Sequence, residues 1–93
     1  MFIHGRVASY NSNTFKGRIY VSEEGRPVPF ELSEESRVDR TIQLIVHSLS
    51  ATALKDYENE QSTVYCRVFK NRSKSGQLKS YIILEVSGRN LSQ

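Results

Sequence analysis

At 93 residues the chain is long enough for one domain and too short for two. With 38% hydrophobic and 25% charged residues, five glycines and two prolines, its composition excludes a disordered or fibrous protein. The one cysteine, Cys66, excludes an internal disulfide, and no apolar run reaches the roughly 18 residues that a membrane span needs. Because no charged and then apolar leader opens the chain, we expect a cytoplasmic protein.

The net charge of +3 is unevenly distributed along the chain. Residues 1–18 carry three bases and no acid, and residues 64–93 carry six bases against one acid. Residues 19–63 carry four bases against nine acids. Both ends are therefore basic and the middle is acidic, a distribution that directs the search for an anionic partner to the ends.

The first third of the chain, from Gly5 to Leu32, predicts three short strands joined by tight turns. Turn-forming residues cluster at 11–13 and 23–25. Side chains alternate across a strand, so 15–21 presents a core face and a basic face that contains one aromatic ring. The expected core residues are Phe15, Gly17, Ile19 and Val21, and those on the opposite face are Lys16, Arg18 and Tyr20.

The order of residues in this region resembles the opening of a cold-shock domain. The matching positions are Gly5, Val7, Tyr10, Asn11, Lys16, Gly17, Tyr20, Val21, Val28 and Phe30. The resemblance covers the first third of the chain and implies a small five-stranded barrel of the oligonucleotide-binding type.

The same resemblance implies that bases stack on outward side chains of the second and third strands. The family's second-strand positions fall on Arg18 and Tyr20, and its third-strand positions fall on Pro29 and Glu31. Two of the four family residues are therefore lost, and Glu31 would repel phosphate. The resemblance supports the barrel more than it supports the binding activity.

One helix, at about residues 34–57, is predicted after the third strand. Ser36 followed three residues later by Asp39 is typical of a capping box. Apolar residues then recur at helical spacing, at Val38, Ile42, Ile45, Leu49 and Ala53. A strand at 41–47 is the competing interpretation. A helix between the third and fourth strands is what the wider oligonucleotide-binding fold places there.

Two strands, 63–70 and 79–86, are predicted to form a hairpin across a loop at 71–78, where Ser75 and Gly76 signal the turn. On its better core face lie Val64, Cys66, Val68, Ile82, Leu84 and Val86. The predicted fold is thus mainly β with one helix, in the order β-β-β-α-β-β, as one domain at 1–86 with a flexible tail at 87–93.

Single-stranded nucleic-acid binding is the function that the basic residues favour. In this fold the first and last hairpin loops flank the ligand face, and we expect them beside each other at one rim of the barrel. The predicted contacts are Lys16, Arg18, Tyr20, Lys70, Arg72 and Lys74. In the competing interpretation these cations are solvated surface and Tyr20 packs on a neighbouring strand.

A protein-interaction or homodimerising barrel is the alternative function. Its predicted interface is the apolar set on the other face of the last two strands, Tyr65, Phe69, Tyr81 and Ile83. Such a patch is typical of an interface when it is exposed. Alternatively, the helix or the N-terminal segment covers it.

Catalysis finds little support in the sequence. The two histidines, His4 and His47, are far apart, and no His, Cys or Asp cluster has metal-ligand spacing. There is no glycine loop for phosphates and no nucleophile elbow. We therefore expect a protein that is not an enzyme, with no cofactor and no metal.

Overall fold

Five strands and one helix build the part of the chain that the structure describes, residues 1–89 of a computed structural model. In chain order they are β1 (Phe2–Asn11), β2 (Lys16–Val21), β3 (Arg26–Leu32), α1 (Asp39–Ala53), β4 (Val64–Arg72) and β5 (Leu78–Ser87). Short 3-10 turns occupy Ser22–Glu24, Glu34–Ser36 and Glu60–Ser62.

The strands close into a barrel with the order β1-β2-β3-β5-β4. β1 completes the circle by pairing with β4, where Ile3 lies opposite Cys66. β3 and β5 are parallel, with Phe30 opposite Tyr81, whereas the other neighbouring strands are antiparallel. The prediction of a small, mainly-β, five-stranded barrel with one helix is confirmed.

In β2, β3 and β4, every second side chain points into the barrel, as predicted. The inward side chains, each at most 3% exposed, are Ile19, Val21, Val28, Phe30, Leu32, Val64, Cys66 and Val68. Phe15 is an exception, because it lies in the turn before β2 with a left-handed backbone (φ 57°). Its half-buried ring packs under the guanidinium of Arg37, 4.6 Å from Cζ to the ring centroid.

β5 does not follow the predicted alternation, because a β-bulge interrupts it. A register shift opposite Arg67 and Val68 leaves Leu84 as an extra residue on β5. A bulge of this kind moves every side chain on one side of it to the opposite face. Tyr81 and Ile83 are therefore inside the barrel, each 1% exposed, and their predicted outward orientation is wrong.

A turn centred near Lys74 would place Tyr65 opposite Ile83 and Phe69 opposite Lys79. In the structure Tyr65 lies opposite Ser87, and Phe69 lies opposite Ile82, because the turn is centred nearer Gly76. Beyond the bulge Val86 faces inward as predicted, whereas Ile82 and Leu84 are half-buried. Of the predicted tail, Ser87 belongs to β5, and residues 90–93 lie outside the described part of the chain.

The helix is shorter than predicted and buries a different face. Residues 34–36 form a separate 3-10 turn, Val38 is the N-cap residue, and the capping box expected at Ser36 does not form. Segment 41–47 is helical, not a strand. The fully buried positions are Thr41, Ile45, Ser48 and Ala51, whereas Val38 and Ala53 are exposed. Small polar side chains on that face let the helix lie close to the barrel.

Cys66 is enclosed in β4 at 1% exposure, and burial raises the pKa of its thiol to about 12. Only about one thiol in 10⁴ is then ionised at pH 8, because the thiolate fraction falls tenfold per pH unit below the pKa. We expect iodoacetamide at pH 8 to leave the folded protein unmodified over hours and to modify it within minutes in denaturing urea, as followed by intact mass. Rapid modification of the folded protein would show that the barrel opens at β4.

No helix within residues 1–89 is both long and apolar enough to cross a membrane.

Candidate nucleic-acid interface

The outward side of β2 is a basic stripe with one aromatic ring. Lys16, Arg18 and Tyr20 are all exposed, as predicted. Their neighbours on β1 are Asn11, Ser9 and Arg6 respectively. Neither β1 nor β2 contains an acidic residue. We call these outward residues of β1 and β2 the β2 face.

β3 borders this face with two prolines and one acid. Pro29 lies opposite Arg18, and Glu31 lies opposite Lys16. The Glu31 carboxylate is 3.7 Å from the guanidinium of Arg37, so part of its charge is offset locally. Its repulsion of a phosphate on the β2 face is reduced accordingly, although this exposed ion pair is itself worth less than about 1 kcal/mol.

Arg6 lies beside two tyrosine rings at one end of the β2 face. Its Cζ is 4.3 Å from the ring centroid of Tyr57 and 5.7 Å from that of Tyr20. Tyr57 belongs to the loop after α1 and is 50% exposed, and Tyr20 is 36% exposed. Cation-π contacts of this kind attract the guanidinium to each ring by about 0.5 to 1 kcal/mol at exposed sites.

A surface cavity of about 260 Å³ opens beside this arginine. It is lined by His4, Gly5, Arg6, Tyr20, Ser22 and Thr63. The imidazole of His4 packs against the ring of Tyr65, with 5.7 Å between centroids. The lining therefore combines hydrogen-bond donors with an aromatic wall and includes no carboxylate.

The turn between β4 and β5 holds a second basic group. Arg72 uses its guanidinium to donate to the carbonyl of Gly76, and Arg26 donates to the carbonyl of Leu78. These two arginines stabilise the turn, which leaves Lys74 exposed within it. Of the predicted contacts in this turn, Lys74 is thus the more accessible one.

The two basic groups lie at opposite ends of β3, and the prediction that they lie beside each other is wrong. Lys16 is opposite Glu31 near the end of β3, whereas Arg26 at its start binds the first residue of β5. Five residue steps along β3 lead from Arg26 to Glu31. At a rise of about 3.3 Å per residue, they place the two ends of this path roughly 17 Å apart. The parallel pairing of β3 and β5 causes this separation, because it places the start of β5 beside the start of β3.

Lys70 lies on β4 opposite Tyr81 of β5, beside a second cavity. It lines a cavity of about 280 Å³ together with Glu23, Glu24 and Tyr81. The pKa of the Tyr81 hydroxyl is raised by burial first and then by the charges of Glu24 and Glu23. The carboxylates of Glu23 and Glu24 in its lining make this cavity a poor site for phosphate.

The interface predicted for the alternative function is divided by the bulge in β5. Tyr81 and Ile83 are core residues, and Tyr65 is half-buried. Phe69 remains outward and is 65% exposed. Met1 and Phe2, at the neighbouring end of β1, are 61% and 48% exposed.

Sequence reasoning did not find Arg6 and Tyr57 as partners. They are 51 residues apart, and no local pattern links the first strand to the loop after the helix. The only sequence signal was the absence of acids around Arg6. Within residues 1–89, no group of three or more His, Cys, Asp or Glu side chains is placed to hold a metal ion.

Residues 2–87 match the model of a family of unknown function, DUF7947. No curated protein and no solved structure matches the chain. The side chains of this barrel are therefore the basis on which a function has to be argued.

Proposed function

Since the chain belongs to DUF7947, a family of unknown function, we propose from its own side chains that it binds single-stranded nucleic acid. The binding is weak and largely independent of sequence, and the β2 face is its site. The observation that carries this proposal is the outward stripe of Lys16, Arg18 and Tyr20, which continues into Arg6 and contains no acid.

The architecture supports the same proposal at the level of the fold. A closed five-stranded barrel with its helix between β3 and β4 is similar to the oligonucleotide-binding fold. In that fold the strand-two and strand-three face holds single strands. Fold alone does not determine function, so the proposal depends on the stripe itself.

The side chains of the β2 face match the two parts of a single-stranded ligand. Three cations can follow the phosphates, and the ring of Tyr20 offers stacking worth about 1 to 3 kcal/mol for one base. Three phosphate contacts on a single strand give a slope of log K against log salt of about −2. One ring and three cations imply weak binding, and stacking does not select among bases.

Two substitutions on the β2 face test the proposal. Arg18→Glu replaces a phosphate contact with a repulsive charge, and we expect affinity for a labelled 12-nucleotide oligo-U or oligo-dT to fall at least tenfold at low salt. Tyr20→Ala removes the stacking ring, and a loss of about 1 to 3 kcal/mol corresponds to roughly 5- to 150-fold. Fluorescence anisotropy over a series of salt concentrations measures both affinity and slope.

Matched variants separate the β2 face from general charge effects. Arg40 is exposed on α1, so Arg40→Glu changes the net charge by the same amount on another surface. Tyr20→Phe keeps the ring. Both controls should bind like the wild type. Equal losses for Arg18→Glu and Arg40→Glu, or no binding at low salt, would count against the β2 face.

The exposed Phe69, with Met1 and Phe2 at the neighbouring strand end, favours homodimerisation as the second candidate function. Sizing chromatography of the same samples distinguishes the two. A dimer that Phe69→Glu dissociates, together with no oligonucleotide binding, would favour the alternative.

A further inference from the structure

Arg6 differs from the other arginines whose contacts define their role. Arg26, Arg37 and Arg72 each donate to a backbone carbonyl, and Arg67 pairs with Glu85. The guanidinium of Arg6 has neither a hydrogen-bond nor an ion-pair partner among residues 1–89. It contacts the rings of Tyr57 and Tyr20 instead.

The two rings attract the guanidinium by cation-π contacts and occupy none of its N–H donors. Its edge carries N–H donors in a rigid fork that matches two oxygens of a phosphate group. A half-buried side chain that two rings already restrain loses less entropy when it binds an anion. The Arg6 guanidinium is therefore available to bind two oxygens of one anion.

The position of Tyr57 depends on a buried hydrogen-bond chain. Ser62, which is 2% exposed, donates from its hydroxyl to the carbonyl of Tyr57 at 3.2 Å. The carbonyl of Ser62 in turn accepts from the hydroxyl of Ser48 in α1 at 2.6 Å. The backbone of the loop that carries Tyr57 is thus anchored to the helix, and the Tyr57 ring lies 4.3 Å from Arg6 Cζ.

The cavity beside Arg6 supplies further donors. The imidazole of His4 and the hydroxyls of Ser22 and Thr63 line it, and Tyr20 forms one wall. Glu23, the next residue after Ser22, lines the cavity that contains Lys70, and His4 lines both cavities. A phosphate in the Arg6 cavity would meet one guanidinium, hydroxyl groups and no lining carboxylate.

We propose that the Arg6 cavity is the seat for one phosphate group of the ligand, with Arg6 binding two phosphate oxygens and Tyr57 and Tyr20 holding its guanidinium. This inference rests on the proposed function and adds a defined contact to it. The phosphate is either an internal diester of a nucleic-acid strand or the terminal group of a free mononucleotide. A base attached to it lies within reach of the Tyr20 ring.

The experiment follows the arginine Nε–H signals of ¹⁵N-labelled protein during three titrations. The probes are a 12-nucleotide oligo-U with a 5′-hydroxyl, uridine monophosphate and inorganic phosphate. We expect the oligonucleotide to shift the Arg6 signal saturably and to leave the Arg40 signal in place. A shift with all three probes identifies the terminal group as sufficient, and a shift with the oligonucleotide alone identifies the diester.

Four variants complete the test with the same anisotropy assay. Arg6→Lys keeps the charge but loses the fork, and Tyr57→Leu loses the stacked ring; each should weaken oligo-U binding about tenfold. Their matched controls, Arg40→Lys and Tyr57→Phe, should bind like the wild type. Backbone amide spectra show whether each variant is folded. If Arg6→Lys is unfolded, the affinity of Tyr57→Leu for oligo-U tests the phosphate seat by itself.

The possible failures are distinguishable. If Arg6→Lys and Tyr57→Leu bind normally while Arg18→Glu does not, the phosphate seat is wrong and the proposed function stands. If no oligonucleotide binds the wild type, the proposed function is wrong. In that case a saturable Arg6 shift with inorganic phosphate or uridine monophosphate still supports the seat, and its absence overturns it.

Discussion

Ser48→Ala is expected to remove about 3 kcal/mol of folding free energy. The Ser48 hydroxyl is fully buried, accepts from the backbone N–H of Val7 at 2.9 Å and donates to the carbonyl of Ser62 at 2.6 Å. It therefore joins α1 to β1 and to the segment before β4. Alanine leaves both backbone groups without this partner, and an unsatisfied buried group costs about 1 to 3 kcal/mol.

Thermal and urea unfolding followed by circular dichroism measure this loss. For a chain of this size, 3 kcal/mol corresponds to a fall in Tm of roughly 12 to 24 °C. Ser50→Ala, two residues further along the same helix and exposed, is the matched control and should change stability by less than about 0.5 kcal/mol. If both variants lose the same small amount, the hydroxyl of Ser48 does not hold the helix to the barrel.

Gly17→Ala is expected to be at least as damaging, with a loss of about 3 kcal/mol or more. Gly17 lies between Tyr10 on β1 and Phe30 on β3, whose rings stack at 6.3 Å and 7° across it. An added Cβ would overlap the carbonyl oxygen of Ser9 and lie 2.8 Å from the Phe30 ring. Backbone cannot move aside as a flexible side chain can, so the strands have to separate.

A second glycine provides the comparison. At Gly88 an added Cβ meets only Leu44 Cδ2, at an ordinary 3.8 Å, so Gly88→Ala should leave stability nearly unchanged. The same unfolding measurements apply, with the yield of folded protein as a further readout. A Gly17→Ala protein as stable as Gly88→Ala would mean that β1 and β2 are not packed this closely.

The strands were predictable wherever one face is apolar and the other polar. In β2 the alternation of Ile19 and Val21 with Arg18 and Tyr20 allows one orientation only. In β5 the run Tyr81 to Leu84 is apolar on both faces, so alternation cannot determine which side is buried. The bulge at Leu84 then reverses the orientation, and no residue type there signals it.

In the helix, the apolar spacing predicted the wrong buried face. Hydrophobic spacing places Val38 and Ala53 on its buried side, but contacts with the barrel select Thr41 and Ser48. From sequence alone, a serine in a helix is expected to be exposed to solvent. Both hydrogen-bond partners of Ser48 lie on other elements, so the helix sequence does not reveal them. Tertiary hydrogen bonds therefore override the apolar pattern here.

The side chains that a single strand contributes to the candidate site were predictable, but the contacts between strands and loops were not. Lys16, Arg18 and Tyr20 share a face because the side-chain period of a strand is two, and this requires no tertiary information. The approach of Tyr57 to Arg6 and the distance between Lys16 and the β4–β5 turn depend on barrel closure. Neither can be predicted from local sequence.

Closure also limits what can be isolated from this molecule. β1 and β2 carry the β2 face on one side, and on the other they bury Val7 and Ile19 against strands and a helix that come much later in the chain. A two-stranded hairpin is marginal in water at best. A peptide of the first 21 residues would therefore keep the charges of the β2 face but not their spacing, so the intact barrel is the smallest unit that can present it.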